Sequence, residues 1–435
     1  MLVRKPINVG LIGFGTVGSG VHHLIARNGA VLGQRTDLDI RIKTVCDLDT
    51  ARVKERAPGV DPVRDWKRVV ADPEIDTVVE LIGGMDPAES IIVESLSAGK
   101  NVVTANKKLL AEKGERIFAL ANGGSASLGF EAAVGGGIPC IAALKSGLVG
   151  NRIRSVMGIL NGTTNYILSR MQEESLSFED ALADAQAKGF AEADPTFDIE
   201  GYDAGHKIAI LSMIAFNKRI DYSSISIEGI TKIGAFDIEY AREMGYRIKL
   251  LGIGKRDGER VDIRVHPTML PLRHPLASVE NEFNAVMITG DMTGPVTLTG
   301  KGAGSHPTAS AVVSDIVRIA LRPASPEGAI RFDGDASYIR PGERVSRYYM
   351  RVHTEDSPGI LANIAGVLAD HRISIASVIQ KESELPHVPL VIMTHEAHEE
   401  GLFAAVERIN AFDFVEGDAT VLRVEDYQSD GADDE

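Results

Sequence analysis

Cysteine is nearly absent from this chain, which carries only Cys46 and Cys140 among its 435 residues. Two thiols cannot form the disulfide framework of a small secreted domain or supply a cysteine-rich zinc site. Such scarcity is typical of proteins kept in a reducing compartment. We therefore expect a cytoplasmic protein.

An excess of basic charge and long apolar runs are also lacking. Lys and Arg number 46 against 61 Asp and Glu, a formal net charge of −15, which argues against a nucleic-acid-binding face. No window approaches the roughly 18 uninterrupted apolar residues of a membrane-spanning helix. The N-terminus lacks the apolar core and cleavage site of a signal peptide. Neither nucleic acid nor membrane is expected as a partner.

The remaining composition is that of a globular protein. It is 44% hydrophobic and 25% charged, enough for several cores. At roughly 100–200 residues per domain, this length predicts two or three domains.

A glycine-rich turn follows the first apolar run, Ile7–Ile12, and leads into a helical pattern. Its residues are Gly13, Phe14, Gly15, Thr16, Val17 and Gly18. Between a strand and a helix, such glycines allow a tight turn and close approach of a pyrophosphate, and the helix N-terminus favours the anion. A purely structural turn is the alternative. The context favours a dinucleotide site.

Strand-like runs then alternate with helical stretches, which predicts a doubly wound parallel sheet. The further strands are predicted at Ile40–Cys46, Thr77–Ile82, Asn101–Thr104 and Ala126–Phe130. The second strand ends at Asp47, where an acid usually holds the ribose 2′-hydroxyl of NAD. Asp47 therefore favours NAD, but Arg52 and Lys54 are close enough in sequence to accept the phosphate of NADP.

Two segments follow later strands of this sheet, whose carboxyl ends face the ligand crevice. In the first, TANK, Lys107 could contact the nicotinamide or the substrate, although a solvated lysine opening a helix has the same pattern. In the second, EAAVGGGIP, Glu131 and inward-turned carbonyls could bind a hard cation through oxygen. A simple hinge is the alternative, and the residues alone favour it.

From Asn151 to about Gly300 the pattern predicts an α+β domain with a largely antiparallel sheet. Helices are predicted over Thr163–Glu174 and Phe178–Lys188, and strands over Arg152–Gly158, Arg247–Lys255, Val261–Pro267, Phe283–Thr289 and Val296–Thr299. Such a sheet can cover an active site on one face and pair with another subunit on the other. A glycine loop, GKGAGSHP, then opens a further helix over Thr308–Leu321.

The stretch Lys188–Lys207 is rich in carboxylates. Four of them precede a helix: Glu192, Asp194, Asp198 and Glu200. Within that helix Asp203 and Lys207 are four residues apart and share a face. A lysine at the mouth of a buried helix, beside acids, could shuttle a proton. A surface ion pair after an acidic loop is the commoner meaning of this spacing.

A segment rich in Pro and Gly, 323–346, looks like a linker to a separate C-terminal region. That region, 347–427, has the predicted order β-α-β-β-α-β. The polar, acidic tail 428–435 is expected to be disordered.

Together these segments resemble homoserine dehydrogenase of the monofunctional, long type. The likeness covers essentially the whole chain and rests on GLIGFGTVG, TANK, GFEAAVGGGIP, GILNGTTNYIL, KGFAEADPTFDIEGYDAGHK and GKGAGSHPTASAVVSDI. The NGTTNY block at 161–166 and the block at 188–207 are the specific ones. The C-terminal region resembles an ACT domain through its Asp356-Ser-Pro-Gly359 turn.

The resemblance implies three domains. A Rossmann dinucleotide-binding domain would span 1–136 and be completed by the helix at about 305–322. A substrate-binding and dimerisation domain would span 137–304, and a ferredoxin-like ACT regulatory domain 347–427. The family interconverts L-aspartate 4-semialdehyde and L-homoserine with NADP or NAD, in threonine, methionine and isoleucine biosynthesis. The resemblance also implies a homodimer or homotetramer, with threonine as the effector at the ACT domain.

Residue roles carry over by motif. Lys207 becomes the general acid/base and Lys107 its catalytic partner. Cofactor contacts are implied for Gly13, Phe14, Gly15, Thr16, Val17, Gly18, Asp47, Thr104, Lys107, Gly189 and Gly304. Substrate contacts are implied for Glu192, Asp198, Asp203 and Lys207. A monovalent cation, sodium or potassium, would be held by Glu131 and the carbonyls of Val134, Gly136 and Ile138.

The chain departs from the family pattern at two places. Ser305 stands where the family often has glycine, and Cys46 precedes Asp47 where many relatives carry arginine, which weakens an assumption of NADP preference. Two alternative functions fit the residues less well. A phosphorylating semialdehyde dehydrogenase needs a nucleophilic thiolate, and neither cysteine has that context. A non-catalytic amino-acid sensor with the same domains would not need both Lys107 and Lys207.

Overall fold

The computed structural model of the protein describes residues 5–321, 330–381 and 386–426. The chain forms two compact units. The first comprises Met1–Gly162, Gly205–Ile225 and Phe283–Ala336, and the second Thr163–Ala204, Ser226–Glu282 and Ser337–Glu435. The predicted middle domain, 137–304, is therefore divided between the units, and its boundaries stay a prediction. The predicted disordered tail and the first part of the predicted linker lie outside the described residues.

The N-terminal region alternates strands and helices. The strands are β1 (Lys5–Ile12), β2 (Leu38–Cys46), β3 (Asp61–Val63), β4 (Thr77–Glu80), β5 (Asn101–Thr104) and β6 (Leu128–Gly129). The helices are α1 (Thr16–Thr36), α2 (Thr50–Arg56), α3 (Lys67–Ala71), α4 (Ala88–Ser97), α5 (Lys107–Gly123) and the single turn α6 (Cys140–Ala142). All six strands are parallel, in the order β3-β2-β1-β4-β5-β6. The predicted Rossmann sheet is confirmed.

The middle region begins with β7 (Ile153–Ile159). Its helices are α7 (Gly162–Glu174), α8 (Phe178–Ala187), α9 (Thr196–Ile199), α10 (Tyr202–Phe216) and α11 (Ala235–Glu243). Its further strands are β8 (Ser226–Ile227), β9 (Tyr246–Asp257), β10 (Arg260–Pro271), β11 (Phe283–Gly290) and β12 (Gly294–Lys301), followed by α12 (Ser305–Leu321). The helix α11 was not predicted.

The first unit contains more than the Rossmann sheet. Strands β12, β11 and β7 form an antiparallel sheet in that order. Helix α12 returns to the Rossmann core, where Val312 and Ile316 join Val21 and Ile25 of α1 among the buried apolar residues. Apolar burial therefore recruits a helix from nearly 300 residues downstream, because parallel sheets need cover on both faces.

The C-terminal region completes the second unit. Its strands are β13 (Ser337–Tyr338), β14 (Val345–Glu355), β15 (Ile375–Gln380), β16 (His387–Thr394), β17 (Ala397–His398) and β18 (Val415–Val424), and its helices are α13 (Ile360–Asp370) and α14 (Glu399–Asn410). The order β18-β14-β16-β15, antiparallel throughout, is the predicted ferredoxin-like arrangement.

The linker-like segment suggested a structurally separate C-terminal region. In the structure this region instead shares a sheet with the rest of the second unit. Strand β18 pairs in parallel with β10, Thr268 opposite Arg423 and Met269 opposite Val424. Strand β10 in turn pairs antiparallel with β9 along its whole length. One sheet therefore joins the C-terminal region to β9 and β10. None of the described helices combines the length and hydropathy needed to cross a membrane.

Candidate active site

The glycine turn after β1 has the geometry its sequence predicts. Gly13 has a φ of 98°, and a Cβ there would lie 2.8 Å from the Leu81 carbonyl carbon. A Cβ on Gly18 would lie 2.0 Å from the Gly13 carbonyl oxygen. Gly15 is exposed, and a Cβ there would meet no described atom within 4 Å. Two glycines thus serve close packing, and the third leaves open space at the N-terminus of α1, where a pyrophosphate can approach.

Asp47, at the end of β2, is bonded to the glycine turn. Its Oδ2 accepts a hydrogen bond from the Phe14 backbone N–H at 2.6 Å, and its Oδ1 accepts one from the Asp49 N–H at 2.8 Å. The Phe14 side chain is buried, so this residue meets Asp47 through its backbone. Asp47 therefore connects β2 to the cofactor turn.

The TANK segment is organised by a carboxylate that the sequence analysis missed. Glu80, fully buried at the end of β4, accepts a hydrogen bond from the Thr104 hydroxyl at 2.6 Å and from the Ile82 and Gly83 backbone N–H groups. The Thr104 hydroxyl also accepts the Asn106 N–H at 3.0 Å. The Thr104 side chain thus supports the crevice wall, and a charged residue ending a short apolar strand was the available signal.

Lys107 and Lys207 both lie in the first unit. Lys107 is half-buried and begins α5 directly after the Asn106 cap. Lys207 is 7% exposed, and its Nζ donates to the Leu160 carbonyl at 2.6 Å, just beyond β7. A backbone carbonyl leaves no sequence signal, so this partner could not have been predicted.

The helices that carry the two lysines are joined by a residue next to Lys207. His206 of α10 is buried, and its Nε2 lies 2.9 Å from Glu112 Oε1 of α5. Its ring stacks on Tyr222 with 4.2 Å between centroids and 8° between planes. His206 therefore fixes the rotation of α10 and with it the direction of Lys207.

Glu131, the predicted cation ligand, is buried and engaged. Its carboxylate accepts hydrogen bonds from the Ile141 and Ala142 backbone N–H groups at 2.8 Å each, and Arg318 Nη2 lies 3.4 Å away. Burial raises the pKa of this carboxyl, and these donors and the positive charge of Arg318 oppose the rise. The side chain is thus oriented towards nitrogen donors.

The backbone after Glu131 bends sharply where the cation-binding carbonyls are predicted. Gly135 and Gly136 have φ values of 74° and 56°, which bend the chain between the carbonyls of Val134, Gly136 and Ile138. Among the described residues no cluster of three or more His, Cys, Asp or Glu side chains could hold a metal ion. Two of the predicted carbonyls have partners within the chain: the Ile138 carbonyl accepts the Cys140 backbone N–H at 2.8 Å, and the Val134 carbonyl oxygen lies 3.5 Å from Cys140 Sγ. The monovalent-cation site therefore stays a prediction.

The acidic loop of the second unit is supported by α7. The Thr163 hydroxyl donates to the Phe190 carbonyl at 2.7 Å, and the rings of Tyr166 and Phe190 lie 4.6 Å apart. The Tyr166 hydroxyl donates to Asp184 at 2.7 Å and accepts from Lys188 Nζ at 2.8 Å. The NGTTNY motif thus holds the start of the 188–207 block, which explains why the two motifs belong together.

The carboxylates of this block differ in their surroundings. Glu192 is exposed, Asp198 is half-buried in α9, and Asp203 is 3% exposed in the first turn of α10. Asp194 accepts the Thr196 N–H at 3.1 Å, and hydrogen bonds to Thr196 lower its pKa. Asp194 therefore caps a turn.

The two downstream glycines occupy positive-φ positions, 77° for Gly189 and 108° for Gly304. Gly304 lies in the first unit and Gly189 in the second. Ser305, the departure from the family pattern, donates its hydroxyl to the Thr16 carbonyl at 2.7 Å. It thereby ties α12 to the first turn of α1.

Neither cysteine is suited to nucleophilic catalysis. Cys46 and Cys140 are both buried free thiols. Burial raises the pKa of Cys46 to about 11 and raises that of Cys140 further, so neither forms a thiolate near neutral pH. This agrees with the rejection of a thiolate-dependent enzyme.

Comparison with protein families accounts for most of the chain. The model described as homoserine dehydrogenase matches residues 139–317, and the one described as homoserine dehydrogenase, NAD binding domain, matches residues 13–131. An ACT domain model matches residues 348–414.

Individual relatives agree over nearly the full length. A homoserine dehydrogenase of Neisseria gonorrhoeae is 45% identical over 431 residues, 97% of this chain and 99% of the relative. A solved homoserine dehydrogenase from Thiobacillus denitrificans has a TM-score of 0.90 at 42% identity, covering 97% of this chain and 99% of its own. A hyperthermophilic archaeal homoserine dehydrogenase mutant, solved in complex with NADPH, has a TM-score of 0.63 at 26% identity and covers 73% of this chain and 98% of its own.

Proposed function

This chain belongs to the homoserine dehydrogenase family and is an NAD(P)-dependent oxidoreductase, and we propose that Lys207 is the general acid/base of its reaction. The substrates are L-homoserine and L-aspartate 4-semialdehyde, in the route to threonine, methionine and isoleucine. The observation that carries the assignment of Lys207 is its burial, with its ammonium oriented by the Leu160 carbonyl.

A buried, oriented ammonium suits the proton step of this reaction. The nicotinamide cofactor supplies the hydride that reduces the aldehyde carbon. Lys207 gives a proton to the oxygen that becomes the alcohol, and takes it back in the oxidative direction. Its positive charge also polarises the carbonyl, most effectively where water is excluded. Lys107, at the start of α5, is the second cation beside the reacting oxygen.

Substrate and cofactor contacts are proposed from the chemistry of the carboxylates and glycine turns. The amino group of homoserine is an ammonium and needs carboxylates, which Glu192, Asp198 and Asp203 supply. The cofactor pyrophosphate binds residues 13–18 at the open space above Gly15. Asp47, Thr104, Gly189 and Gly304 complete the proposed cofactor contacts.

A monovalent cation, sodium or potassium, belongs to the proposal through oxygen ligands. Glu131 and the carbonyls of Val134, Gly136 and Ile138 would hold it. Such an ion would stiffen the glycine-rich segment after β6. Activity with sodium, potassium or a bulky organic cation as the only monovalent ion tests this assignment.

The regulatory and quaternary proposals rest on the C-terminal region. We propose that its ACT domain binds threonine as a feedback inhibitor and that the enzyme is a homodimer or homotetramer in the cytoplasm. Threonine titration of the full-length enzyme tests the effector, and light scattering coupled to size-exclusion chromatography measures the subunit number.

The decisive experiment follows nicotinamide absorbance with homoserine and each cofactor. We expect turnover in the wild type, and Lys207→Ala should lower kcat by at least about 1,000-fold because both the proton donor and a positive charge are lost. NADPH binding by Lys207→Ala should remain within about twofold, measured by calorimetry.

Lys108→Ala is the matched control, since Lys108 is exposed and adjacent to Lys107. Near wild-type kcat in Lys207→Ala would contradict its catalytic role. A wild type that binds nicotinamide dinucleotides without any homoserine-dependent turnover would favour the amino-acid sensor.

A further inference from the structure

Asp47, whose position in the sequence favours NAD, has little hydrogen-bonding capacity left. Arg52 Nη2 lies 3.2 Å from each oxygen of Asp47, in addition to the Phe14 and Asp49 backbone donors. A carboxylate has about four lone-pair sites, and these four contacts use them. An NAD-selecting acid must instead accept the ribose hydroxyls.

Arg52 is held where it can meet a ribose substituent. It lies in the first turn of α2, and its backbone N–H donates to the Asp49 cap at 3.0 Å. Its side chain is 37% exposed, against 13% for Asp47. Its Nε is buried and has no hydrogen-bond partner among the described residues. The guanidinium is thus anchored by one nitrogen and retains donors.

The pairing changes the charge that a cofactor would meet at the end of β2. Asp47 alone would repel a 2′-phosphate, whereas the Asp47–Arg52 pair is formally neutral. A planar guanidinium also matches two phosphate oxygens at once.

From this geometry we propose that Arg52 makes the enzyme prefer NADP over NAD, by occupying Asp47 and binding the 2′-phosphate. This reverses the preference that Asp47 suggests by sequence position. The proposal rests on the dinucleotide site of the proposed function and adds its specificity determinant.

Calorimetry with four probes tests the proposal without turnover: NADPH, NADH, adenosine 2′,5′-bisphosphate and 5′-ADP. The wild type should bind each 2′-phosphorylated probe at least about tenfold more tightly than its counterpart. Arg52→Met should weaken binding of the 2′-phosphorylated probes by about 10- to 100-fold, the usual cost of losing a charge-assisted hydrogen bond. NADH and 5′-ADP should bind Arg52→Met as well as the wild type or better, because Asp47 is released.

Lys54 is the other basic residue whose sequence position suits the NADP phosphate, and it lies at an exposed position of the same helix. Because the contact with Asp47 is made by Arg52, Lys54→Met removes the same charge from the helix and serves as the matched comparison. The ratio of its affinity for NADPH to its affinity for NADH should equal that of the wild type. Arg52→Lys keeps the charge and loses the planar fork, so its ratio should lie between those of wild type and Arg52→Met. It also keeps the test decisive if Arg52→Met does not fold.

The proposal is overturned if the wild type binds NADH as tightly as NADPH, or if Arg52→Met and Lys54→Met show the same ratio. Failure of the proposed function would look different: no homoserine-dependent turnover with either cofactor, whatever the binding ratio.

Discussion

Single buried polar residues determine which groups of this protein are available for chemistry. Lys207 donates to a backbone carbonyl, which orients its ammonium. Glu131 faces two backbone N–H groups and Arg318, which commit its carboxylate to holding the chain. The same residue types at exposed positions would be hydrated, so burial with a specific partner separates the proposed catalytic residue from the structural one.

His274 gives a pH prediction at this scale. It is 1% exposed, and its Nδ1 accepts the Leu276 N–H at 3.1 Å, which requires a neutral ring. Burial lowers its pKa to about 4, from 6.5 for an ordinary histidine; the negative charge of Glu425 opposes this shift, and the positive charge of Lys255 adds to it. The unfolded chain therefore binds more protons between these pH values. The stability that depends on neutral His274 is present above about pH 6.5 and is lost as the pH falls towards 4.

We expect His274→Asn to remove this pH dependence, because an asparagine oxygen can accept the Leu276 N–H without titrating. Between pH 7 and pH 4, the free energy of unfolding should fall by on the order of 3 kcal/mol more in the wild type than in the variant. Urea unfolding across that range measures the difference. Parallel pH profiles for the two proteins would contradict the assignment.

At the scale of elements, α11 is held by a buried ion pair rather than by its own sequence preference. Asp237 of α11 is fully buried, and Arg351 of β14 contacts both of its oxygens, Nε at 2.7 Å and Nη2 at 3.0 Å. The Tyr349 hydroxyl donates to the same carboxylate at 2.9 Å. The helix therefore depends on β14, more than 100 residues later, and its sequence pattern alone did not reveal it.

Arg351→Met should destabilise the second unit by about 3–5 kcal/mol, because it leaves the Asp237 carboxylate buried without its cation. The double variant Asp237→Leu, Arg351→Met should recover part of that loss. Chemical denaturation followed by circular dichroism measures both.

Lys381→Met provides the control for this helix. Lys381 pairs with Glu239 and Glu243 of α11, but these contacts are largely exposed. The unfolding midpoint of Lys381→Met should match that of the wild type. Equal effects of Arg351→Met and Lys381→Met would refute the argument from burial.

At the scale of the whole molecule, the C-terminal region is part of the fold of the second unit. Arg264 of β10 is buried against Glu425 beyond β18, at 3.3 Å. Arg344 Nε lies 2.8 Å from Asp262 of β10, and Arg423 Nη2 lies 2.6 Å from Glu399. These charged residues are at most 9% exposed. A domain built in this way cannot be removed without leaving buried charge and an open strand edge.

A chain ending at Arg347 should therefore lose the structure of the second unit. We expect it to aggregate, or to elute early from size-exclusion chromatography because its hydrodynamic radius is enlarged. A chain ending at Asp426 keeps every described residue of this region and should behave like the wild type. Circular dichroism and thermal unfolding complete the comparison. A well-folded, monodisperse chain ending at Arg347 would show that the region is independent after all.

The sequence by itself determined the elements whose residues repeat with the period of a strand or helix. The predicted parallel strands agree with β1, β2, β4 and β5 to within about two residues, since apolar runs between turn residues specify them locally. It missed β3, a strand of three residues, because so short a run carries no period. The glycine turn was also predicted locally, because only glycine readily takes the positive φ of Gly13 and the close backbone contacts at Gly13 and Gly18.

The tertiary structure decided everything that depends on a partner distant in the chain. It gave Lys207 the Leu160 carbonyl and gave Thr104 the Glu80 carboxylate. It also joined β18 to β10. Hydrogen bonds and ion pairs form between atoms that folding brings together, and their energy depends on burial that no local pattern records. Residue type limited what these side chains could do, and their surroundings decided which of those roles each one takes.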